Sequence, residues 1–284
     1  MRIGVTGASG FIGSHLMDAL KNVPEVSVAP LSRKRQNPTL TELKTFVQKK
    51  DLIYHLAGIN RGSDEEILQG NVLGTLHLLV AIKTFGSPLT RIVFASSSQV
   101  YKLGKVGSGI KESRATEPQS LYGVSKKTAE DLIRLSGLDN IILRLSNVYG
   151  PGCRPNYNSV IATFCDRAVN NRPLNIDGTG KQGRDFIYID DVIQAMVLAG
   201  TRKQPQKQTV YNISSGRLST LRQVIGHIKR SRKEVNVEYK NSDDGYSYVC
   251  DSSRFQRKYG WKPKTPLSAG IRNILQGLKK GLGS

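Results

Sequence analysis

The sequence is poor in cysteine and acidic residues and has no long apolar run, and these shortages exclude several kinds of protein. Its three cysteines, Cys153, Cys165 and Cys250, are an odd number at spacings that fit neither a disulfide framework nor a zinc site. No uninterrupted apolar stretch approaches the roughly 20 residues that span a bilayer. Met1 is followed directly by an apolar strand pattern, which leaves no room for a secretory signal. We therefore expect a cytoplasmic protein with no metal site and no integral membrane segment.

The charge balance is strongly basic. Lys and Arg number 42 against 22 Asp and Glu, a formal net charge of +20. The excess is concentrated from Arg202 to Ser284, which contains 18 basic and 5 acidic residues. This part forms either a solvated basic face or a surface that attracts anions, membranes or nucleic acid. The richest run, Lys229–Lys233, lacks the interleaved aromatic residues that stack on bases, so nucleic acid is not the expected partner.

The first residues have the pattern of a dinucleotide-binding turn. Residues 2–6 read as a buried strand, and the spacing of apolar residues from Ser14 to Leu20 predicts a helix. Between them, glycines allow a tight turn and let the backbone approach a pyrophosphate at the N-terminus of the helix. The candidate cofactor-binding residues of this turn are Gly7, Ser9, Gly10, Phe11, Ile12 and Gly13.

The end of the second predicted strand, Val26–Leu31, indicates which dinucleotide is bound. An Asp or Glu at this point accepts a hydrogen bond from the ribose 2′-hydroxyl of NAD, and none is present, because Glu25 lies at the wrong end of the strand. The residues that follow offer hydroxyl and cationic donors, which suit a 2′-phosphate. They are Ser32, Arg33, Lys34 and Arg35. We therefore expect NADP(H) rather than NAD(H).

Strands and helices alternate over the first 150 residues, which predicts an α/β fold with a doubly wound parallel (Rossmann) sheet. A smaller C-terminal α/β region is expected to bind the substrate. The predicted dinucleotide-binding domain covers 1–150 plus about 187–215, and the predicted substrate-binding domain covers about 151–186 plus 216–284.

One predicted helix, beginning near Leu121, contains a possible proton-transfer pair. Residues four apart lie on one helical face, so Tyr122 and Lys126 point the same way. A free phenol titrates near pH ~10, and an adjacent ammonium makes its anion accessible nearer neutrality. A Tyr-x-x-x-Lys match alone also arises by chance between surface residues, so its neighbours must decide.

Taken jointly, the motifs resemble those of the extended short-chain dehydrogenase/reductases, the NAD-dependent epimerase/dehydratase family, which act on nucleotide sugars. The resemblance covers nearly the whole chain. The motifs that carry it are Thr6–Gly13, Phe94–Tyr101, Tyr122–Lys126, Arg144–Pro151, Arg184–Asp191 and Tyr211–Gly216.

The resemblance implies roles for individual residues. Tyr122 is the expected catalytic acid/base, Lys126 its tuner and a ligand of the nicotinamide ribose, and Ser97 the hydroxyl that binds the C4 oxygen of the sugar. Further cofactor-binding candidates are Leu56, Ala57, Gly58 and Asn71. The other substrate-binding candidates are Ser98, Asn147, Asn158, Arg184 and Lys240, with Asn147 and Arg184 expected at the diphosphate.

Departures from the family's pattern narrow the expected reaction. Ser98-Gln99 stand where the 4,6-dehydratases have Asp-Glu, and neither residue can replace a carboxylate in abstracting a proton from C5. The stretches Cys153–Cys165 and Ile59–Arg61 are similar to UDP-4-keto-sugar reductases. We therefore expect an NADP(H)-dependent reductase of a nucleotide-linked 4-keto sugar, with UDP as the nucleotide.

Two alternatives stay open. A nucleotide-sugar 4-epimerase needs the same residues, but it turns over with a retained dinucleotide, whereas a reductase consumes it. A more remote alternative is a non-catalytic dinucleotide- or nucleic-acid-binding protein. The resemblance also implies a homodimer through the Glu65–Lys83 helix and the helix of Tyr122.

Overall fold

The computed structural model describes residues 1–31, 38–104, 109–157, 159–202, 208–232, 234–243 and 245–281. Internal contacts divide the chain into two compact units. The first unit comprises Met1–Lys102, Glu112–Leu145 and Ile193–Asn212, and the second comprises Leu103–Lys111, Ser146–Val192 and Ile213–Ser284. The predicted bounds placed residues 103–111 in the dinucleotide-binding domain, whereas these contacts group them with the second unit. The division into a dinucleotide-binding and a substrate-binding domain stays a prediction.

A six-stranded sheet forms the centre of the first unit. Its strands are β1 (Arg2–Thr6), β2 (Ser27–Pro30), β3 (Leu52–His55), β4 (Arg91–Ser97), β5 (Asn140–Leu145) and β9 (Gln208–Ile213). They lie in the order β2-β1-β3-β4-β5-β9, and the pairs from β2 to β5 are all parallel. The predicted doubly wound parallel sheet is confirmed.

Helices cover this sheet. They are α1 (Phe11–Lys21), α2 (Leu40–Val47), α3 (Asp64–Leu68), α4 (Gly74–Phe85), α5 (Leu121–Leu135) and α7 (Ile189–Thr201), the last of which begins in the second unit. A π-helical turn, Gln69–Leu73, joins α3 to α4, so the single helix predicted for this stretch contains a local widening. Apolar side chains from α2, α4 and α5 pack on the strands in one buried cluster that includes Phe46, Ile53, Leu78, Ile82, Phe94, Ile133 and Ile142.

The strand order places a ligand-binding crevice at a defined point. The chain moves from β1 to β2 on one side and then returns to β3 on the other side of β1. In parallel sheets, ligands bind outside the carboxyl ends of the strands where the order reverses in this way. The residues that follow β1 and β3, the Gly7 loop and Leu56–Gly58, lie at that reversal.

The second unit is built from smaller sheets and helices. Its strands are β6 (Asn147–Tyr149), β7 (Leu174–Asp177), β8 (Gly183–Tyr188), β10 (Leu218–Thr220) and β11 (Val237–Lys240). They form a three-stranded sheet in the order β10-β8-β6 and a parallel pair, β11 with β7. The helices are α6 (Val160–Val169), α8 (Leu221–Ser231), α9 (Ser253–Tyr259) and α10 (Leu267–Gly281).

One helical stretch bears on the expectation that the protein has no integral membrane segment. Among the described residues, Asp64–Phe85 is long and apolar enough to meet a criterion of length and composition for a membrane span, and 44% of its most apolar window is buried inside the protein. Core helices of soluble proteins meet the same criterion, so this is weak evidence for a span. This stretch was not predicted as a candidate span, because polar residues and glycines interrupt its apolar run.

Candidate active site

The loop after β1 has no space for a side chain at two of its glycines, Gly7 and Gly13. Gly7 has φ +70°, and a Cβ on it would lie 2.7 Å from the Ala57 backbone nitrogen at the end of β3. A Cβ on Gly13 would lie 2.0 Å from the Gly7 carbonyl oxygen, so the first turn of α1 packs directly on the loop. The loop backbone is therefore held close to β3 by contacts that only glycine permits.

The N-terminus of α1 is suited to an anion. Its N-cap is Gly10, which supplies no side-chain hydrogen bond, and the first turn contains no acidic residue. The N-cap residue therefore offers no acceptor to the free N–H groups of the first turn, and no acidic side chain neutralises the positive end of the helix dipole. Ser9 and Gly10 are exposed, while Phe11 and Ile12 are half-buried. This is the donor arrangement that binds a pyrophosphate.

Asn71 holds the end of β3 against helix α5. Its side-chain oxygen accepts from the Ile59 backbone N–H at 2.7 Å, and its amide nitrogen donates to the Ile59 carbonyl at 2.8 Å and to Ser125 Oγ at 2.9 Å. Ser125 Oγ donates in turn to the Tyr122 carbonyl. A Cβ on Gly58 would lie 2.8 Å from Asn71 Oδ1 and 3.8 Å from Lys126 Nζ. The predicted residues Gly58 and Asn71 are thus brought beside the helix of Tyr122 and Lys126.

A buried polar chain around His55 was not predicted from the sequence. Thr75 Oγ1 donates to the Asn71 carbonyl at 2.6 Å, so it must accept from His55 Nε2–H at 2.9 Å. His55 Nδ1 is then the acceptor for the Thr6 hydroxyl at 2.8 Å, and Thr6 Oγ1 accepts from the Ala57 N–H. The chain joins the glycine loop to Asn71. The one sequence signal for this chain of hydrogen bonds is that polar residues occur within the apolar patterns of neighbouring strands and helices.

The N-terminus of α5 packs closely on the turn that follows β4. Ser120 caps the helix by accepting from the Gly123 N–H. A Cβ on Gly123 would lie 2.4 Å from the Gln99 carbonyl oxygen, so this glycine permits the contact. The same turn holds the Ser97 hydroxyl, which accepts from the Gln99 N–H at 3.2 Å. Helix α5 and the Ser97 turn are therefore in direct backbone contact beside Tyr122, while Ser98 is buried within the turn.

Lys126 is a nearly completely buried ammonium, with 4% of its surface exposed. Its Nζ lies 4.2 Å from the centre of the Phe94 ring, and among the residues that the structure describes it has no hydrogen-bond acceptor. Burial lowers the pKa of Lys126 to about 7, opposed by the negative charge of Glu130. A charged group held in this way is costly without a ligand and is typical of a functional site.

Behind Lys126 lies an ion pair that was not predicted from the sequence. Glu130 is fully buried and accepts from Arg144 at 3.0 and 2.6 Å in a bidentate arrangement, and it accepts from the Ser96 hydroxyl as well. Arg144 also donates to Tyr101 Oη at 2.9 Å. The ion pair with Glu130 raises the pKa of Arg144 above its ordinary value despite burial. The periodicity of α5 would have placed Glu130 on the same face as Lys126, but its partner on β5 is set by tertiary structure.

In the second unit, Asn147 is tied into the protein. Its side-chain nitrogen donates to the Asp185 carbonyl at 3.1 Å and to Tyr248 Oη at 2.7 Å, which occupies both amide hydrogens. A diphosphate contact through this amide would have to replace one of these bonds. Burial raises the pKa of the adjacent Asp185 carboxyl, which accepts hydrogen bonds from Ser146, Ser215, Gly216 and Cys250.

The remaining predicted substrate-binding and cofactor-binding residues fall into three groups. Arg184, on β8, is half-buried and stacks on the ring of Tyr246 at 4.2 Å. Lys240, at the end of β11, is exposed, and no described contact brings it to Arg184 or Asn147. The predicted residues Asn158, Ser32, Arg33, Lys34 and Arg35 lie outside the described residues.

The donor set of the first unit fits a dinucleotide. A side chain added at Gly7 or Gly13 would clash with backbone, and the loop presents an uncapped helix N-terminus for phosphates. Lys126 presents a buried ammonium with no acceptor in the described part of the chain. No cluster of His, Cys, Asp or Glu that could hold a metal ion occurs among the described residues, and the three cysteines are buried and form no disulfide.

A parallel sheet with a glycine loop at its point of reversal and a Tyr-x-x-x-Lys helix beside it defines a dinucleotide-dependent enzyme of the short-chain dehydrogenase/reductase type. The model of the NAD dependent epimerase/dehydratase family matches residues 3–214, so the chain belongs to that family.

Two curated relatives resemble the chain over most of its length. It is 32% identical to UDP-2-acetamido-2,6-beta-L-arabino-hexul-4-ose reductase of Pseudomonas aeruginosa, a match that covers 84% of this chain and 60% of that protein. It is 30% identical to UDP-glucuronate 4-epimerase 6 of Arabidopsis thaliana, a match that covers 96% of this chain and 70% of that protein.

Two solved structures are similar throughout. MoeE5 in complex with UDP-glucose and NAD has a TM-score of 0.89 at 28% identity, covering 99% of this chain and 100% of that chain. RMD from Pseudomonas aeruginosa complexed with NADPH has a TM-score of 0.85 at 26% identity, covering 99% of both chains. The predictions that the chain is an enzyme and belongs to this family are confirmed.

Proposed function

We propose that the protein is an NADP(H)-dependent reductase of a nucleotide-linked 4-keto sugar, with UDP as the nucleotide. The observation that carries the proposal is Lys126, a buried ammonium one helical turn from Tyr122 with no acceptor among the described residues. Such a group would hold the ribose hydroxyls of a dinucleotide and make the phenolate of Tyr122 accessible near neutral pH.

The substrate class is supported by the relatives. The Pseudomonas aeruginosa reductase and the Arabidopsis epimerase are both named for UDP-linked sugars, and MoeE5 was solved with UDP-glucose. Ser98 and Gln99 supply no carboxylate after Ser97, which supports reduction or epimerisation rather than dehydration. The reductase match extends over 60% of that protein's length, so its activity is carried over as a proposal only.

The chain's own residues would perform the proton chemistry. The Ser97 hydroxyl would donate to the C4 oxygen of the keto sugar and orient it. Tyr122 would donate its phenolic proton to that oxygen, and the Lys126 ammonium would stabilise the phenolate left behind. When bound, the dinucleotide supplies the hydride to C4. Because Tyr122 and Lys126 are fixed on one helix, the acid is set in position before the substrate binds.

NADP(H) is proposed over NAD(H) because β2 ends without an acidic residue and is followed by three cationic side chains. The family accommodates both, since MoeE5 was solved with NAD and RMD with NADPH. Comparable affinities for NADH and NADPH would count against this assignment.

The test of the reductase is consumption of NADPH, followed by its absorbance, with UDP-, dTDP- and GDP-linked 4-keto-6-deoxy sugars. We expect stoichiometric oxidation of NADPH with the UDP sugar and roughly 100-fold or greater loss of rate in Tyr122→Phe. Tyr239→Phe, at an exposed tyrosine on β11, is the matched control and should keep the wild-type rate. No oxidation with any of the three substrates would overturn the proposal.

A 4-epimerase is the second candidate, favoured by the match to the Arabidopsis UDP-glucuronate 4-epimerase. It would interconvert UDP-sugar epimers with the dinucleotide retained through purification and no added cofactor. Turnover of UDP-glucose or UDP-glucuronate under those conditions, with no net change in NADPH, would replace the reductase by this activity.

We also propose that two copies of the chain associate. Leu73, Leu76 and Val80 have 44%, 38% and 47% of their surfaces exposed at helical spacing along one stripe, and Val124 on α5 is 41% exposed. Pairing with a second copy would remove this apolar surface from water. Light scattering of the wild type and Leu76→Glu tests the proposal, and a monomeric wild type would overturn it.

A further inference from the structure

The segment 246–248 places two tyrosines against two predicted substrate-binding residues. The Tyr246 ring lies under the guanidinium of Arg184 at 4.2 Å, and Tyr248 Oη accepts from the Asn147 amide at 2.7 Å. The two rings lie 6.0 Å apart. No sequence motif pointed to either tyrosine.

The backbone of this segment is fastened to the start of β8. Ser247 Oγ accepts from the Gly183 N–H at 2.8 Å, and the Tyr248 N–H donates to the Gly183 carbonyl at 3.3 Å. A Cβ on Gly183 would lie 2.7 Å from the Leu218 side chain, so β10 holds this point of β8 from the other side. The backbone next to Tyr246 is therefore held beside the strand that carries Arg184.

Arg184 uses only one edge of its guanidinium inside the protein. Its Nη1 donates to the carbonyls of Gly183 and Tyr246, and no acceptor or carboxylate for Nε or Nη2 occurs among the described residues. These two nitrogens form the fork that binds two oxygens of a phosphate. Tyr246 is 38% exposed, so the stacked pair lies at the surface of the second unit, where a ligand can reach it.

We propose that Tyr246 is the positioning residue for Arg184, the arginine that the family resemblance already places at the diphosphate of the nucleotide. This rests on the proposed function, because it assumes a nucleoside diphosphate as part of the substrate. The ring removes rotamer freedom from a long side chain before the ligand arrives, and its π face stabilises the positive charge that the diphosphate needs.

The test compares Tyr246→Leu, which removes the aromatic face, with Tyr246→Phe, which keeps it, using calorimetric titration with UDP and with uridine. We expect Tyr246→Leu to weaken UDP binding roughly 3- to 30-fold, while Tyr246→Phe changes it by less than about 2-fold. Uridine binding should be unchanged in both, because uridine lacks the diphosphate. Tyr239→Leu, at another exposed tyrosine, serves as the control.

A double-mutant cycle with Arg184→Gln shows whether the ring acts through the guanidinium. We expect Tyr246→Leu to have no further effect on UDP affinity once Arg184 is Gln. Equal losses of UDP affinity in both backgrounds would overturn the inference, because the ring would then act independently of Arg184. Equal losses for uridine and UDP would overturn it as well and would assign the ring to the base. A wild type that binds UDP and a Tyr246→Leu variant that binds it equally well would overturn this inference alone. A wild type that does not bind UDP would overturn the proposed function with it.

Discussion

Lys126 and Glu130 lie one turn apart on helix α5, and both side chains are buried, but only Glu130 has an ion-pair partner among the described residues. Arg144 neutralises Glu130 with a bidentate pair, so the carboxylate stabilises the Lys126 ammonium only partly. The pKa of Lys126 is accordingly lowered to about 7 by burial, in spite of Glu130. The fold thus keeps the Lys126 ammonium without an ion-pair partner among the described residues, which lowers the stability of the protein but leaves the ammonium available to a ligand.

Replacing Lys126 with Met should stabilise the protein and abolish its activity. The unfolded chain binds the lysine proton near pH ~10.4 and the folded chain at about 7, so between these values the unfolded state holds more protons and stability rises with pH. Below pH 7 the lysine is protonated in both the folded and the unfolded state, so the full cost of burying the ammonium lowers the free energy of unfolding. Lys126→Met should therefore exceed the wild type by roughly 2–5 kcal/mol near pH 6, measured by urea unfolding.

The difference between the two proteins should shrink steadily as the pH rises towards ~10, because the wild-type lysine then loses its proton in both states. Lys127→Met, at the half-buried neighbour on α5, should show no such trend beyond the loss of its ion pair with Asp131. A Lys126→Met protein that is less stable than the wild type at pH 6 would contradict the view of Lys126 as an unsatisfied charge.

Removing one member of the Glu130–Arg144 ion pair should destabilise the protein strongly, whereas replacing both residues together should lower its stability much less. Glu130→Gln leaves a buried guanidinium without its counter-charge and should lower the free energy of unfolding by about 3–5 kcal/mol. Arg144→Met should also destabilise the protein, because the buried Glu130 carboxylate then keeps only the Ser96 hydroxyl and the charge of Lys126. The double variant Glu130→Gln/Arg144→Met should lose clearly less than the sum of the two. Additive losses in urea unfolding would show that the residues act separately.

Much of the fold followed from local pattern. The alternation of strands and helices, the glycine turn after β1 and the helix beginning near Leu121 are all set by residues close together in sequence. The π-helical turn at Gln69–Leu73 was not predicted, because the apolar spacing of one long helix continues through it. Its widening brings Asn71 to Ile59 and Ser125, which is a tertiary requirement that a single helix pattern does not contain.

The site was predictable only where chemistry is local. Tyr122 and Lys126 share one helix, so their spacing alone places them together. The roles of His55, Glu130 and Tyr246 depend on hydrogen-bond partners that lie on other elements. These partners are 20, 14 and 62 residues away in the sequence, respectively. Nothing in the sequence beside them distinguishes a buried histidine or a stacked tyrosine from an ordinary core or surface residue.

The basic stretch after β2 should decide the dinucleotide. Arg33→Glu/Arg35→Glu should weaken NADPH binding about 10- to 100-fold, because the 2′-phosphate loses two cations, and leave NADH binding within about 3-fold. Lys229→Glu/Arg230→Glu, an equal change of charge on α8, controls for the overall field of the protein. Fluorescence titration with both dinucleotides measures the effect. Equal losses for NADH and NADPH would refute the role of this stretch.

Gly123 should be essential for activity although it has no chemical group. An added Cβ would lie 2.4 Å from the Gln99 carbonyl oxygen and 3.0 Å from Pro118, so Gly123→Ala must push α5 away from the turn that carries Ser97. Backbone shifts of this kind cost about 1–3 kcal/mol, and misplacing a catalytic group by about 1 Å can lower kcat about 100-fold. We expect kcat to fall by that order while the Kd for the dinucleotide changes far less.

Gly226→Ala provides the matched control, because Gly226 lies within helix α8 and a Cβ there meets nothing within 4 Å. That substitution should leave kcat unchanged and raise stability by up to about 1 kcal/mol, as alanine favours a helix over glycine. Steady-state kinetics and urea unfolding of both variants separate the two effects. If Gly123→Ala kept the wild-type kcat, the close contact of α5 with the Ser97 turn would not be what aligns Tyr122 with Ser97.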